Sequence, residues 1–150
     1  MAFDTQGNLF LADPGNSRVL RYSASSLTPG NFGPDADLVL GQLDFNSRVQ
    51  NSSTRISKTS MGVPAGIAFS PTDTRLYVCD NLGRVLVYRN PSTIGQGAER
   101  ILGVVVLQPG QTAPPPINDV GLVDPESVVI VGGAPLVVDT SLNRIVRYDA

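Results

Sequence analysis

Three observations predict an all-β fold assembled from repeated, four-stranded antiparallel sheets. One phrase is written three times: LFLADPGNSRVLRY at 9–22, RLYVCDNLGRVLVY at 75–88 and PLVVDTSLNRIVRY at 135–148. The apolar runs are short, rich in Val, Ile, Leu and Tyr, and bounded by Gly, Pro, Asn and Asp, which is the composition of strands and tight turns. No long stretch carries the 3.6-residue apolar period of an amphipathic helix. Strands that are apolar on both faces need a sheet on either side. A β-propeller supplies that by setting four-stranded blades radially.

Within a unit the elements follow in a fixed order. A short inner strand comes first: MAFD (1–4), GIAFS (66–70) and SVVIV (127–131). Turn formers follow at DTQGN (4–8), SPTDT (70–74) and GGAP (132–135). The second strand ends at Asp13, Asp80 or Asp139, markers separated by 80 − 13 = 67 and 139 − 80 = 59 residues. A tight turn leads to Arg18, Arg84 or Arg144, and the third strand closes on Tyr22, Tyr88 or Tyr148; the middle turn is one residue shorter. A fourth strand is expected at DLVLGQ (37–42) and RILGVV (100–105), and none after the third unit. The whole chain, 1–150, then reads as one partial propeller with repeat units at about 1–45, 61–107 and 122–150. On this reading it is expected to be a segment of a longer protein.

The stretch VPAGIAFSPTDTRLYVCDNLGRVLVY (63–88) resembles the NHL repeat, with its Pro-x-Gly inner strand, Gly-containing turn, strand ending in Asp, and Asn and Arg before the third strand. AFDTQGNLFLADPGNSRVLRY (2–22) is similar, and DPESVVIVGGAPLVVDTSLNRIVRY (124–148) is looser, with Glu126-Ser127 where the second unit has Ala65-Gly66. The resemblance implies about three blades, half of the common six-bladed ring, and a bacterial, extracytoplasmic origin. Two uncovered end blades would expose apolar faces, which soluble monomers avoid. Pairing of two copies into a homodimer that completes the ring is therefore expected, or a higher assembly.

Composition removes several classes of activity. A net charge of −2, with Lys58 the one lysine, lacks the basic face that nucleic acid or an anionic membrane surface attracts. With no histidine and one cysteine, Cys79, a Ser-His-Asp triad and a Cys/His zinc site cannot be built from one chain. Cys79, ending an apolar strand, reads as a buried small hydrophobe. The longest apolar runs, 101–107 and 127–138, are too short to span a bilayer, residues 1–15 lack the pattern of a secretory signal, and the chain reads as soluble.

The Asp-turn-Arg pairs place carboxylate beside guanidinium, yet a residue present in every blade reads as architecture: the aspartate accepts from following backbone amides and the arginine pairs with it. Glu126, with Ser127, starts an inner strand where a side chain could face a central channel, and some propeller lactonases hold a metal there. Their first-blade glutamate motif is not reproduced here, so no metal, cofactor or catalytic residue is assigned. The long loops 43–63, with Arg48 and Arg55, and 107–124, proline-rich and expected to be extended, should share one face and offer a ligand surface. The reading is a non-catalytic binding or assembly scaffold for a protein, peptide or saccharide. Its alternative is a fragment of a lactonase- or lyase-type propeller enzyme with its catalytic residues elsewhere. RNA binding, a third class known among NHL proteins, is opposed by the charge.

Overall fold

Strands form where the apolar runs predict them in the computed structural model, which describes residues 1–50, 55–104 and 120–149. The first sheet contains β1 (Ala2–Phe3), β2 (Leu9–Asp13), β3 (Arg18–Tyr22) and β4 (Leu38–Leu40). The second contains β5 (Pro64–Ser70), β6 (Arg75–Asp80), β7 (Arg84–Arg89) and β8 (Arg100–Leu102). The third contains β9 (Pro125–Val131), β10 (Ala134–Asp139) and β11 (Arg144–Arg147). Every pairing is antiparallel and follows sequence order. The protein is all-β, built of meander sheets with four, four and three described strands.

The turns before β3 and β11 each hold one turn of 3-10 helix, Pro14–Asn16 and Thr140–Leu142, closed by Ser17 and Asn143 in the left-handed region. The shorter middle turn ends instead on Gly83 at φ +68°, where glycine carries no steric penalty. The fourth strands are shorter than 37–42 and 100–105 suggested. Gly41 and Gly103, at φ +84° and +83°, bend the chain out of the extended conformation directly after Leu40 and Leu102. The proline-rich run expected to be extended lies largely outside the described residues.

Side chains alternate between two faces, and each sheet presents them with the same polarity. Phe10, Val19, Leu38 and Leu40 of the first sheet pack on Ile67, Leu76, Val78, Leu86 and Tyr88 of the second. The Phe10 and Phe69 rings stack there at 6.5 Å. Tyr77, Cys79, Val85 and Val87, on the opposite face of the second sheet, pack on Val128, Val137, Val146 and Tyr148 of the third. Each sheet thus has a leading face toward its successor and a trailing face toward its predecessor. Among the described residues only the second has both covered, and β6 and β7 are correspondingly buried nearly throughout. At roughly 1.5–3 kcal/mol per buried large apolar side chain, this two-sided burial is the largest favourable contribution to the fold.

The first strands approach each other closely. β1 lies against β5, and β5 against β9. A Cβ placed on Gly66 would sit 2.5 Å from the Glu126 carbonyl oxygen and 2.6 Å from the Ser127 Cα. Backbone atoms cannot step aside as a flexible side chain can. Gly66→Ala is expected to lower the unfolding free energy by about 1–3 kcal/mol in urea denaturation, the usual cost of overpacking. Gly33→Ala, with open space around it, should leave the midpoint unchanged.

Candidate functional site

The recurring charged residues gather where the second and third strands of each sheet turn back. Antiparallel register sets Asp13 opposite Arg18, Asp80 opposite Arg84 and Asp139 opposite Arg144. In the second sheet both side chains are fully buried. Arg84 donates from Nε (2.9 Å) and Nη2 (2.7 Å) to Asp80 Oδ2, and from its remaining N–H groups to the carbonyls of Arg55 (2.9 Å), Ser57 (2.6 Å) and Ser60 (2.8 Å). A guanidinium has five N–H donors, and all five are engaged.

Asp80 and Asp139 accept from amides upstream of them, where the sequence suggested the amides that follow. Asp80 accepts from the amides of Gly62 (3.0 and 3.1 Å) and Val63 (3.0 Å), and Asp139 from those of Val123 (3.2 and 3.4 Å) and Asp124 (2.9 Å). These amides belong to the segments entering β5 and β9. The reason lies in the pairing: β5 and β9 run beside β6 and β10, so their entry backbone ends level with the aspartates. Asp13 does accept from a following residue, through the Asn16 side-chain amide (2.9 and 2.8 Å) and backbone amide, and also from Arg18 Nε (2.8 Å). Burial pushes its carboxyl up, and these partners outweigh that and hold it below the ordinary carboxylate range.

The arginines reach from the turns to the long loops. Arg18 Nη1 donates to the Phe45 carbonyl (2.6 Å), and Arg144 donates to the Gly121 carbonyl while also pairing with Asp139 at 3.2 Å. The described ends of both connections therefore lie at one end of the sheets, beside the Asp–Arg pairs. The tyrosines serve a different purpose. Tyr88 and Tyr148 point from trailing faces into the preceding sheet, and Tyr148 donates to the Val120 carbonyl. Burial drives the Tyr148 hydroxyl up to about 12. Tyr22 holds the same place on the first sheet and is half-buried.

The residues singled out for binding do not converge. Glu126 and Ser127 are exposed on β9, and Arg48 is exposed in its loop. Arg55 is committed to architecture, its Nη2 donating to the carbonyls of Gly83 (2.7 Å) and Leu122 (2.7 Å) and so tying the second sheet to the entry of the third. Among the described residues no group of three or more Cys, Asp and Glu could hold a metal ion. Cys79 is buried, and burial beside the Asp80 charge raises its thiol to about 12, so it is an unreactive thiol at neutral pH.

Sequence reasoning missed two pegs between sheets. Met61 lies against Gly41, and Leu122 against Gly103, each on the sheet before its own. Both stand three residues ahead of an inner-strand proline, in MGVP and LVDP, and that shared spacing was the available signal. The opposite end of the sheets carries a cavity of about 180 Å³ walled by Arg21, Phe69 and Pro91. Arg21 there pairs with Asp37 (2.9 and 3.0 Å) and donates to the Pro91 carbonyl (3.3 Å).

The chain matches no protein-family model, and no curated protein matches it in sequence.

Removing one partner of a buried pair strands the other charge. Arg84→Met is expected to cost about 3–5 kcal/mol in urea denaturation, the range for breaking such a pair. Arg18→Met, at a pair with 14% and 23% of its side chains exposed, should cost distinctly less. Equal losses would contradict the assignment of Arg84 as the deeper tie.

Proposed function

We propose that the chain is an arc of propeller blades of NHL type, acting as a non-catalytic scaffold that binds a protein, peptide or saccharide through its loop face. The supporting observation is how the Asp–Arg pairs are used. The charged residues that recur in every unit spend their hydrogen bonds on one another and on strand-entry or loop backbone, so repetition serves architecture. The common polarity of the three sheets and the neighbouring first strands are also what radial blades require. Arg48, exposed on the loop whose ends those pairs secure, is available to a ligand.

The experiment has two arms. Peptides selected from a random phage-displayed library on the native chain are expected to lose binding on Arg48→Glu. Calcium at millimolar concentration is expected to leave the thermal midpoint unchanged. A calcium-dependent rise in midpoint that Glu126→Gln abolishes would contradict this reading and favour the lactonase-type alternative, since a ligand stabilises only the state that binds it.

A further inference from the structure

The two end sheets carry the two halves of a contact that the chain already makes twice. Leu9, Leu11, Leu20 and Tyr22 on the trailing face of the first sheet align with Leu76, Val78, Leu86 and Tyr88, which are buried against the sheet before them. Leu136, Val138 and Ile145 on the leading face of the third sheet align with Tyr77, Cys79 and Val85, which are buried against the sheet after them. Neither end face has a neighbouring sheet among the described residues. Phe3 is 59% and Leu11 36% exposed at one end, and Val129, Val131 and Ile145 are 52%, 56% and 65% exposed at the other. A contiguous apolar face of this kind marks an interaction site.

We propose that the leading face of the third sheet docks on the trailing face of the first sheet in a second copy of this chain, head to tail. Two such contacts close a two-chain ring of six sheets. The inference rests on the propeller reading and supplies its partner. What favours a second copy is continuity with the contacts inside the chain: the same polarity, the same aligned positions and the same chemistry recur at both ends. A like-with-like contact would cover one end face and leave the other open. A heterologous contact covers both.

One polar tie supports the register. Arg21 crosses from the first sheet to the Pro91 carbonyl, three residues beyond Tyr88, just past β7 of the second sheet. Arg147 takes the place of Arg21 on the third sheet and is exposed. The position three residues beyond Tyr22 is Ser25, so Arg147 of one copy is placed to meet the Ser25 carbonyl of the other. A groove of about 550 Å³ also opens on the leading face, between Val138 and Ile145. The turns of the first two sheets receive Met61 and the Leu122 backbone at the corresponding place, beside Ser17 and Gly83. Ser127 stands where Gly66 stands and holds off a strand at its own level. β1 aligns with Ala68 and Phe69, two and three residues beyond the level of Gly66.

The test is solution mass by light scattering across a dilution series, with Leu11→Glu and Ile145→Glu as variants. Both positions are solvent-accessible, so neither change should disturb the folded chain. The native chain is expected at twice 15.8 kDa, and each variant alone at 15.8 kDa. An equimolar mixture of the two variants should regain the two-chain mass, because the intact leading face of one meets the intact trailing face of the other. A variant that stays dimeric by itself overturns the proposal in favour of like-with-like pairing. A native chain that stays monomeric also overturns it, and binding of a synthetic peptide of residues 59–66 to that monomer would assign the face to a further blade. Urea unfolding separates the two levels of the argument. A cooperative monomer removes the docking alone, whereas a chain without cooperative unfolding removes the stacked sheets beneath it.

Discussion

Asp80 and Arg84 meet with neither side chain exposed to water, and the rest of the arrangement depends on that meeting. Burying two charges costs several kcal/mol for each ion, and the pair persists only where geometry and further hydrogen bonds offset the loss. Here the offset is complete on the arginine side, with three loop carbonyls taking the donors that Asp80 leaves over. The same carboxylate fixes the amides of Gly62 and Val63 as the chain enters β5. One ion pair therefore locates a hairpin turn, the loop before it and the start of an inner strand.

Two-sided burial explains why that interior is dry. The second sheet is covered on its trailing face by the first and on its leading face by the third, and the pair lies at its turn. The flanking pairs, each with a neighbouring sheet on one side among the described residues, are less enclosed, at 14% and 23% for Arg18 and Asp13 and at 23% for Arg144 beside a buried Asp139. The gradation follows position in the stack and not residue type, since the same two residues recur in each sheet. Tyr88 and Tyr148 obey the same logic, buried because a preceding sheet exists for them. Tyr22 has no such neighbour among the described residues.

Much of this was legible because the sequence repeats. Aspartate and arginine at four or five residues' spacing across a turn must face each other in antiparallel register, so their pairing follows from the spacing. Uninterrupted apolar runs at 76–79 and 85–88 announced a strand pair buried on both faces. The aspartates' other partners were hidden, because an amide 17 or 18 residues upstream becomes a neighbour only once β5 has paired with β6. Arg55 looked like a free loop cation for the same reason: its acceptors, the Gly83 and Leu122 carbonyls, belong to other parts of the chain. Glu126 drew notice by its place at the start of an inner strand, and that place alone brings no partner group to it: it is exposed on β9.

The most direct measurement is native-state amide hydrogen exchange at Gly62 and Val63, loop amides that donate to the Asp80 carboxylate, Val63 sharing the Asn81 side chain as a second acceptor. The account predicts that both exchange as slowly as the amides of β6 and β7, and open with them in one cooperative unit. Exchange at the rate of an exposed loop, with β6 and β7 still protected, would contradict it. The Asp80–Arg84 pair would then be a passenger in a stack held together by apolar contact alone.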